Sequence, residues 1–170
     1  IFAHGSGSSR HSPRNKLVAE SLGKARLATL LFDLLTEEEE SDRANVFDIS
    51  LLAERLIAAV DWSRAEPATA GLPIGLFGAS TGAAAALVAA AADRRIGAVV
   101  SRGGRPDLAG RALPQVRAPT LLIVGGADRE VLRLNELAYA ELAGPRELVI
   151  VPGATHLFPE PGALDLVVDA

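Results

Sequence analysis

The sequence predicts an α/β fold: a mostly parallel sheet of about six strands with helices on both faces. Three observations carry this. Short apolar runs alternate with helix-length segments along all 170 residues. The runs are apolar at nearly every position, as strands covered on both faces are, rather than alternating like one-sided antiparallel strands. The run 74–77 also passes through Gly78-Ala79-Ser80-Thr81-Gly82 straight into an alanine-rich helix, a sharp strand-to-helix turn suited to the end of a sheet.

The strand candidates are 1–4, 28–34, 74–77, 96–101, 120–124 and 147–151, and the helix candidates about 14–24, 48–64, 81–93, 131–143 and 160–170. Segment 48–64 shows the helical period best, with Ile49, Leu52, Leu56, Ala59 and Val60 on one side and Glu54 and Arg55 on the other. Asp48 or Ser50 is its candidate cap. Right-handed crossovers would bring every strand's C-terminal end to one edge, where ligand sites of such sheets form. The run Glu37-Glu38-Glu39-Glu40 reads as a solvated loop.

Composition narrows the function classes. A chain that is 49% hydrophobic and 22% charged is globular, and a net charge of −4 does not suit a nucleic-acid partner. No apolar run approaches the roughly 18 residues that span a bilayer. The absence of cysteine removes disulfides, cysteine-ligated metals and a cysteine nucleophile. The expected location is the cytoplasm, although a cysteine-free chain suits an oxidising space equally. The chain lacks methionine, opens within an apolar run and closes within a helical pattern, so a single domain over 1–170, truncated at both ends, is expected.

Three chemically capable residues fall just beyond strand ends. Ser80 follows the third strand, Asp128 the fifth in Val124-Gly125-Gly126-Ala127-Asp128, and His156 the sixth in Pro152-Gly153-Ala154-Thr155-His156. A serine hydroxyl becomes a useful nucleophile when an imidazole accepts its proton, and a carboxylate must then orient that imidazole and stabilise its charged form. Ser80, Asp128 and His156 are therefore the candidate catalytic residues. Asp107, after the fourth strand, competes for the acid role, while Asp33 reads as structural. The oxyanion donors expected are the backbone N–H of Thr81 and that of Ser6 or Gly7, in the loop His4-Gly5-Ser6-Gly7-Ser8-Ser9. His4, His11 and Arg14 are candidate substrate contacts, with His4 also suited to shaping that loop. A dinucleotide site is the poorer reading of the same loop, because Arg10 stands where the third glycine of G-x-G-x-x-G belongs.

Together, His4-Gly5, Gly78–Gly82, Gly125–Asp128 and Gly153–His156 resemble the α/β-hydrolase superfamily. The stretches His4–Asn15 and Ser101–Asp107 are similar to its dienelactone-hydrolase-like branch of small lidless enzymes. The resemblance covers essentially the whole chain and implies a three-layer α/β-hydrolase-like fold. True dienelactone hydrolases use a cysteine nucleophile; Ser80 in its place implies a serine esterase. The strands that normally precede the His-Gly loop are missing here. Some relatives of this kind are fused to phosphoribosyltransferase domains, which suits a fragment. The expected function is hydrolysis of a small carboxylic ester, thioester or lactone through an acyl-enzyme, without metal or organic cofactor. The rival is a catalytically silent binding or interaction domain of the same fold.

Overall fold

The apolar runs assemble into a parallel sheet in which chain order is also spatial order. A computed structural model describes residues 1–170. Its strands are β1 (Phe2–Ala3), β2 (Ile74–Ala79), β3 (Ile96–Arg102), β4 (Thr120–Gly125) and β5 (Arg146–Val151), hydrogen-bonded in the order β1-β2-β3-β4-β5. The helices are α1 (Pro13–Lys24), α2 (Glu37–Ser41), α3 (Arg43–Phe47), α4 (Ile49–Ala65), α5 (Thr81–Ala92), α6 (Arg129–Glu141) and α7 (Ala163–Asp169), with a 3-10 segment over Pro106–Gln115.

Two apolar clusters cover the two faces, and alternation along the strands divides them. Ala3, Leu76, Val99 and Leu122 face α4, α5 and the 3-10 segment. Phe2, Phe77, Ile123 and Val151 face α1 and α7. Leu52, Leu56 and Val60 of α4 are buried as their spacing predicts, and the helix is capped by Asp48, whose Oδ1 accepts the Leu51 N–H at 3.0 Å. Helix α5 is buried around most of its girth, from Thr81 to Ala90 with the exception of Val88. Its alanines let α4, the 3-10 segment and the sheet approach closely from different sides.

Two expectations need correction. The sheet has five strands rather than about six, because segment 28–34 touches it only through a parallel bridge between Leu31 and Phe2 and a Phe2 N–H to Leu30 O bond of 2.9 Å. β1 is two residues long, so the ladder beside it has no further rungs. Side chains hold the segment instead: Asp33 accepts from the Arg10 N–H at 2.6 Å and pairs with its guanidinium, and the Leu34 N–H donates to His4 Nε2 at 3.1 Å. The acidic run is not a loop; it forms α2. Thr36 Oγ1 accepts from the Glu39 N–H at 3.2 Å while Glu39 Oε2 accepts from the Thr36 N–H at 2.9 Å, a reciprocal cap. Four carboxylates in a helix's first turn also suit its dipole.

β1 marks a switch in direction. The chain leaves β1 towards α1 on one face, and leaves β2 towards α5 on the other. The diverging connections open a crevice at the C-terminal edge of these two strands. No helix is long and apolar enough to cross a membrane.

Candidate active site

Ser80 sits between β2 and α5 with φ 50° and ψ −121°. A non-glycine residue held there stores about 1–3 kcal/mol of strain, and its surroundings must enforce it. They do so by close approach. A Cβ at Gly78 would overlap the Ala83 backbone, and one at Gly82 would overlap the Ala3 carbonyl, with His4 O only 2.5 Å away. Glycine at both positions thus lets β1, β2 and α5 meet at the elbow. The Ser80 carbonyl accepts from the Ala83 and Arg105 N–H groups, each at 3.1 Å, which fixes the turn from two directions.

Across the sheet edge, His156 Nδ1 lies 2.8 Å from Asp128 Oδ2. The carboxylate side chain is 17% exposed and the imidazole 38%. Backbone bonds set this spacing. The Gly126 N–H donates to Val151 O and the Ala127 N–H to Ala154 O, both at 2.9 Å, lacing the acid's loop to the loop of the base. Glu160 then braces the histidine loop: its Oε1 accepts from Thr155 Oγ1 at 2.6 Å and from the Thr155 N–H at 3.1 Å. Hydrogen bonding from Thr155 holds the Glu160 carboxyl below its ordinary range. Asp107, the competing acid, is engaged elsewhere, taking Arg105 Nε and Nη2 at 2.8 Å each. Ser80 Oγ makes no hydrogen bond to His156, so the serine and the Asp128–His156 pair are separate units in this structure.

The loop after β1 runs beside the serine. The position of a Cβ on Gly5 would lie 2.8 Å from Ser80 Cβ. The Ser8 N–H bonds to Gly5 O at 3.2 Å, closing a turn whose Ser6 and Gly7 N–H groups have no acceptor in the chain. Thr81 begins α5, where the first N–H groups have no intrahelical partner. Thr81, His4, Gly5 and Ser6 line one small crevice with Leu34 and Glu40, so α2 forms part of its wall. His4 is buried with both ring nitrogens engaged: Nε2 accepts from the Leu34 N–H, which leaves the proton on Nδ1 to bond Gly5 O at 3.0 Å. Its imidazole therefore ties the loop to segment 28–34. His11 is exposed on the loop, and Arg14 lies half-buried in the first turn of α1.

Three supporting residues carried little sequence signal. Asn135 of α6 is fully buried and donates to Gly104 O at 3.1 Å, steadying the loop that contacts Ser80 through Arg105. Gly103, at φ 51°, lies against the His156 carbonyl and the Phe158 ring. Arg102 is buried at the end of β3. The clues available were a polar residue on the apolar side of a helix, as Asn135 is between Val131 and Ala138, and the place of Arg102 and Gly103 within Ser101–Asp107, a stretch that carries the family resemblance. A larger hollow of about 330 Å³, lined by Arg10, Lys16, Ala19, Glu20, Thr29 and Leu31, contains none of Ser80, Asp128 and His156.

Comparison with known proteins adds the family. The sequence profile of the dienelactone hydrolase family matches residues 24–166. Two Mycobacterium tuberculosis proteins, from strains H37Rv and CDC 1551, are 66% identical over 168 residues, and both carry the provisional name phosphoribosyl transferase. That match takes in 98% of this chain but spans only 38% of those proteins. A crystal structure of dienelactone hydrolase from Anabaena variabilis superposes with a TM-score of 0.95 at 60% identity, covering 99% of this chain and 80% of that one. An α/β serine hydrolase homologue from Coxiella burnetii shares the fold at a TM-score of 0.81 and 19% identity, covering 99% and 80%. With five parallel strands, helices on both faces and a strained serine between β2 and α5, the chain belongs to the dienelactone hydrolase family and has its α/β-hydrolase fold.

Proposed function

We propose that the chain is a serine hydrolase acting on a small carboxylic ester, thioester or lactone. The observation that carries this reading is the 2.8 Å contact of His156 Nδ1 with Asp128 Oδ2, at the same sheet edge as a serine held at φ 50°. A carboxylate on Nδ1 keeps the proton there and leaves Nε2 as the base. His156 Nε2 takes the Ser80 proton as Oγ attacks the acyl carbonyl, and Asp128 stabilises the imidazolium that forms. The N–H groups of Thr81 and of Ser6 or Gly7 hold the oxyanion, each contributing about 3–4 kcal/mol to the barrier reduction. Collapse of the intermediate transfers the proton from His156 to the leaving group. Water, deprotonated by His156, then releases the acid and restores Ser80. Hydrogen bonds of this kind are often long before substrate arrives, so the separation of Ser80 from His156 is compatible with the scheme.

That separation also favours a second reading, in which the domain binds ligands or partners without catalysis. Steady-state hydrolysis of p-nitrophenyl acetate distinguishes the two. The enzyme reading expects turnover by wild type that is lost in His156→Ala. Equal residual rates for the folded wild type and His156→Ala would leave only the silent domain. The chain spans 38% of the length of the two Mycobacterium tuberculosis relatives.

A further inference from the structure

Arg102 ends β3 with its side chain on the α1 face, and is 6% exposed. A guanidinium carries five N–H donors, yet the chain supplies one acceptor: Nη2 donates to Asn15 Oδ1 at 3.1 Å. Nε is enclosed with no acceptor at all. The charge that acts on it is that of another cation, Arg14. Arg14, in the first turn of α1, also has a buried Nε without a partner, and neither arginine forms an ion pair with any carboxylate of the chain. Burial, with the charge of Arg14 added, pushes Arg102 down to about 10, which still leaves it cationic at neutral pH. The Phe158 ring centroid lies 6.0 Å from the guanidinium carbon.

A buried cation beside a half-buried one, with no acid between them, forms an uncompensated charge, an arrangement that costs stability until an anion joins it. A purely structural arginine would spend its donors on backbone carbonyls, and here it reaches none. The first turn of α1 adds to the same charge. Ser12 caps it by accepting the Asn15 N–H, Pro13 has no N–H, and the Arg14 N–H has no acceptor in the chain. The position is also telling. Arg102 pairs in register with Ala79, the residue before Ser80, and Phe158 lies two residues beyond His156.

We propose that Arg14, Arg102 and the first turn of α1 form a binding site for a small oxyanion, a carboxylate or phosphate group, at the C-terminal edge of the sheet beside the His156 loop. Planar guanidinium forks match such groups with paired hydrogen bonds. The inference does not require Ser80 to be a nucleophile, so binding alone decides it. The anion has two possible sources: a free anion, or the acidic end of a substrate.

Inorganic phosphate and succinate are titrated into the protein by calorimetry and thermal melting, with chloride at matched ionic strength as the reference. Saturable binding and a rise in Tm beyond that of chloride are expected. Arg14→Gln and Arg102→Gln should each weaken binding by about tenfold or more, the scale of a lost charge-assisted hydrogen bond. Circular dichroism checks folding; if Arg102→Gln does not fold, the half-buried Arg14→Gln decides. Phosphate and succinate acting no better than chloride, or binding Arg14→Gln as they bind wild type, would overturn the proposal. The source follows from two esters, p-nitrophenyl acetate and p-nitrophenyl hemisuccinate. A rise of about tenfold in the hemisuccinate-to-acetate KM ratio in Arg14→Gln, with competitive inhibition by phosphate, supports the site and assigns the anion to the substrate. An unchanged ratio alongside saturable phosphate binding supports the site and assigns it to a free anion.

Discussion

Replacing Gly82 with alanine tests the elbow's construction most sharply. The new Cβ would point at the backbone of β1, with His4 O 2.5 Å away and Ala3 O nearer still, where ordinary contact begins at 3.4 Å. The difference, 3.4 − 2.5 = 0.9 Å, is a minimum for the distance by which α5 and β1 must separate. Backbone atoms of a paired strand cannot swing aside as a side chain would. Overpacking of this kind costs about 1–3 kcal/mol, which for a domain of this size lowers Tm by roughly 2–12 °C. The loop that carries Ser6 and Gly7 leaves β1 directly beyond the clash. Misplacing an oxyanion donor by about 1 Å reduces the rate by roughly 100-fold. Gly23→Ala provides the control, since its Cβ would meet nothing within 4 Å in a helical backbone. It should be neutral or stabilising by up to about 1 kcal/mol. Melting curves and kcat/KM for p-nitrophenyl acetate read both effects. Gly82→Ala that melts with wild type and keeps its rate would refute the packing argument.

Other outcomes follow from the same geometry. Asp128→Asn should lower kcat by about 100- to 10,000-fold with little change in KM, because the imidazolium loses its counter-charge and its tautomer control; a matching loss in Asp107→Asn would shift the acid role. Asn135→Ala removes the donor on Gly104 O and should cost about 1–3 kcal/mol in chemical denaturation, so an unchanged midpoint would contradict its anchoring role. Asp93 is held below its ordinary range chiefly by hydrogen bonds from Arg95, at 2.9 and 3.0 Å, and then by Arg64 at 2.5 Å. A depressed folded pKa means that the unfolded chain binds more protons, so this contribution is present above about pH 4 and is lost as pH falls through and below it. Asp93→Asn should therefore lower Tm at pH 7 and narrow the gap between pH 7 and pH 3. Equal gaps in mutant and wild type would dismiss Asp93 as an acid-sensitive group.

The strand ends were legible because fully buried parallel strands leave long apolar runs, and because glycine-rich turns follow them where connections leave the sheet. Ser80, Asp128 and His156 stand just beyond such ends, so their places at the sheet edge are readable from the sequence. Segment 28–34 has an equally apolar sequence but lies beside a two-residue strand, and pairing depends on what is adjacent rather than on composition. The acidic run failed as a loop for a local reason: Thr36 and Glu39 satisfy each other's backbone, which nucleates a short helix that charge counting alone does not reveal. Arg102 was missed because a charge at a strand end reads as solvated. Its burial depends on Asn15, Arg14 and Phe158, which are remote in sequence and converge only in the fold.

The central claim is that Ser80 is a nucleophile activated by His156 and Asp128. Incubation with a fluorophosphonate probe followed by intact-mass and peptide analysis tests it most directly. One covalent adduct per chain is expected on the peptide containing Ser80, with no adduct in folded Ser80→Ala and strongly slowed labelling in His156→Ala. A folded wild-type protein that acquires no adduct, or a Ser80→Ala protein that acquires the same one, would contradict it.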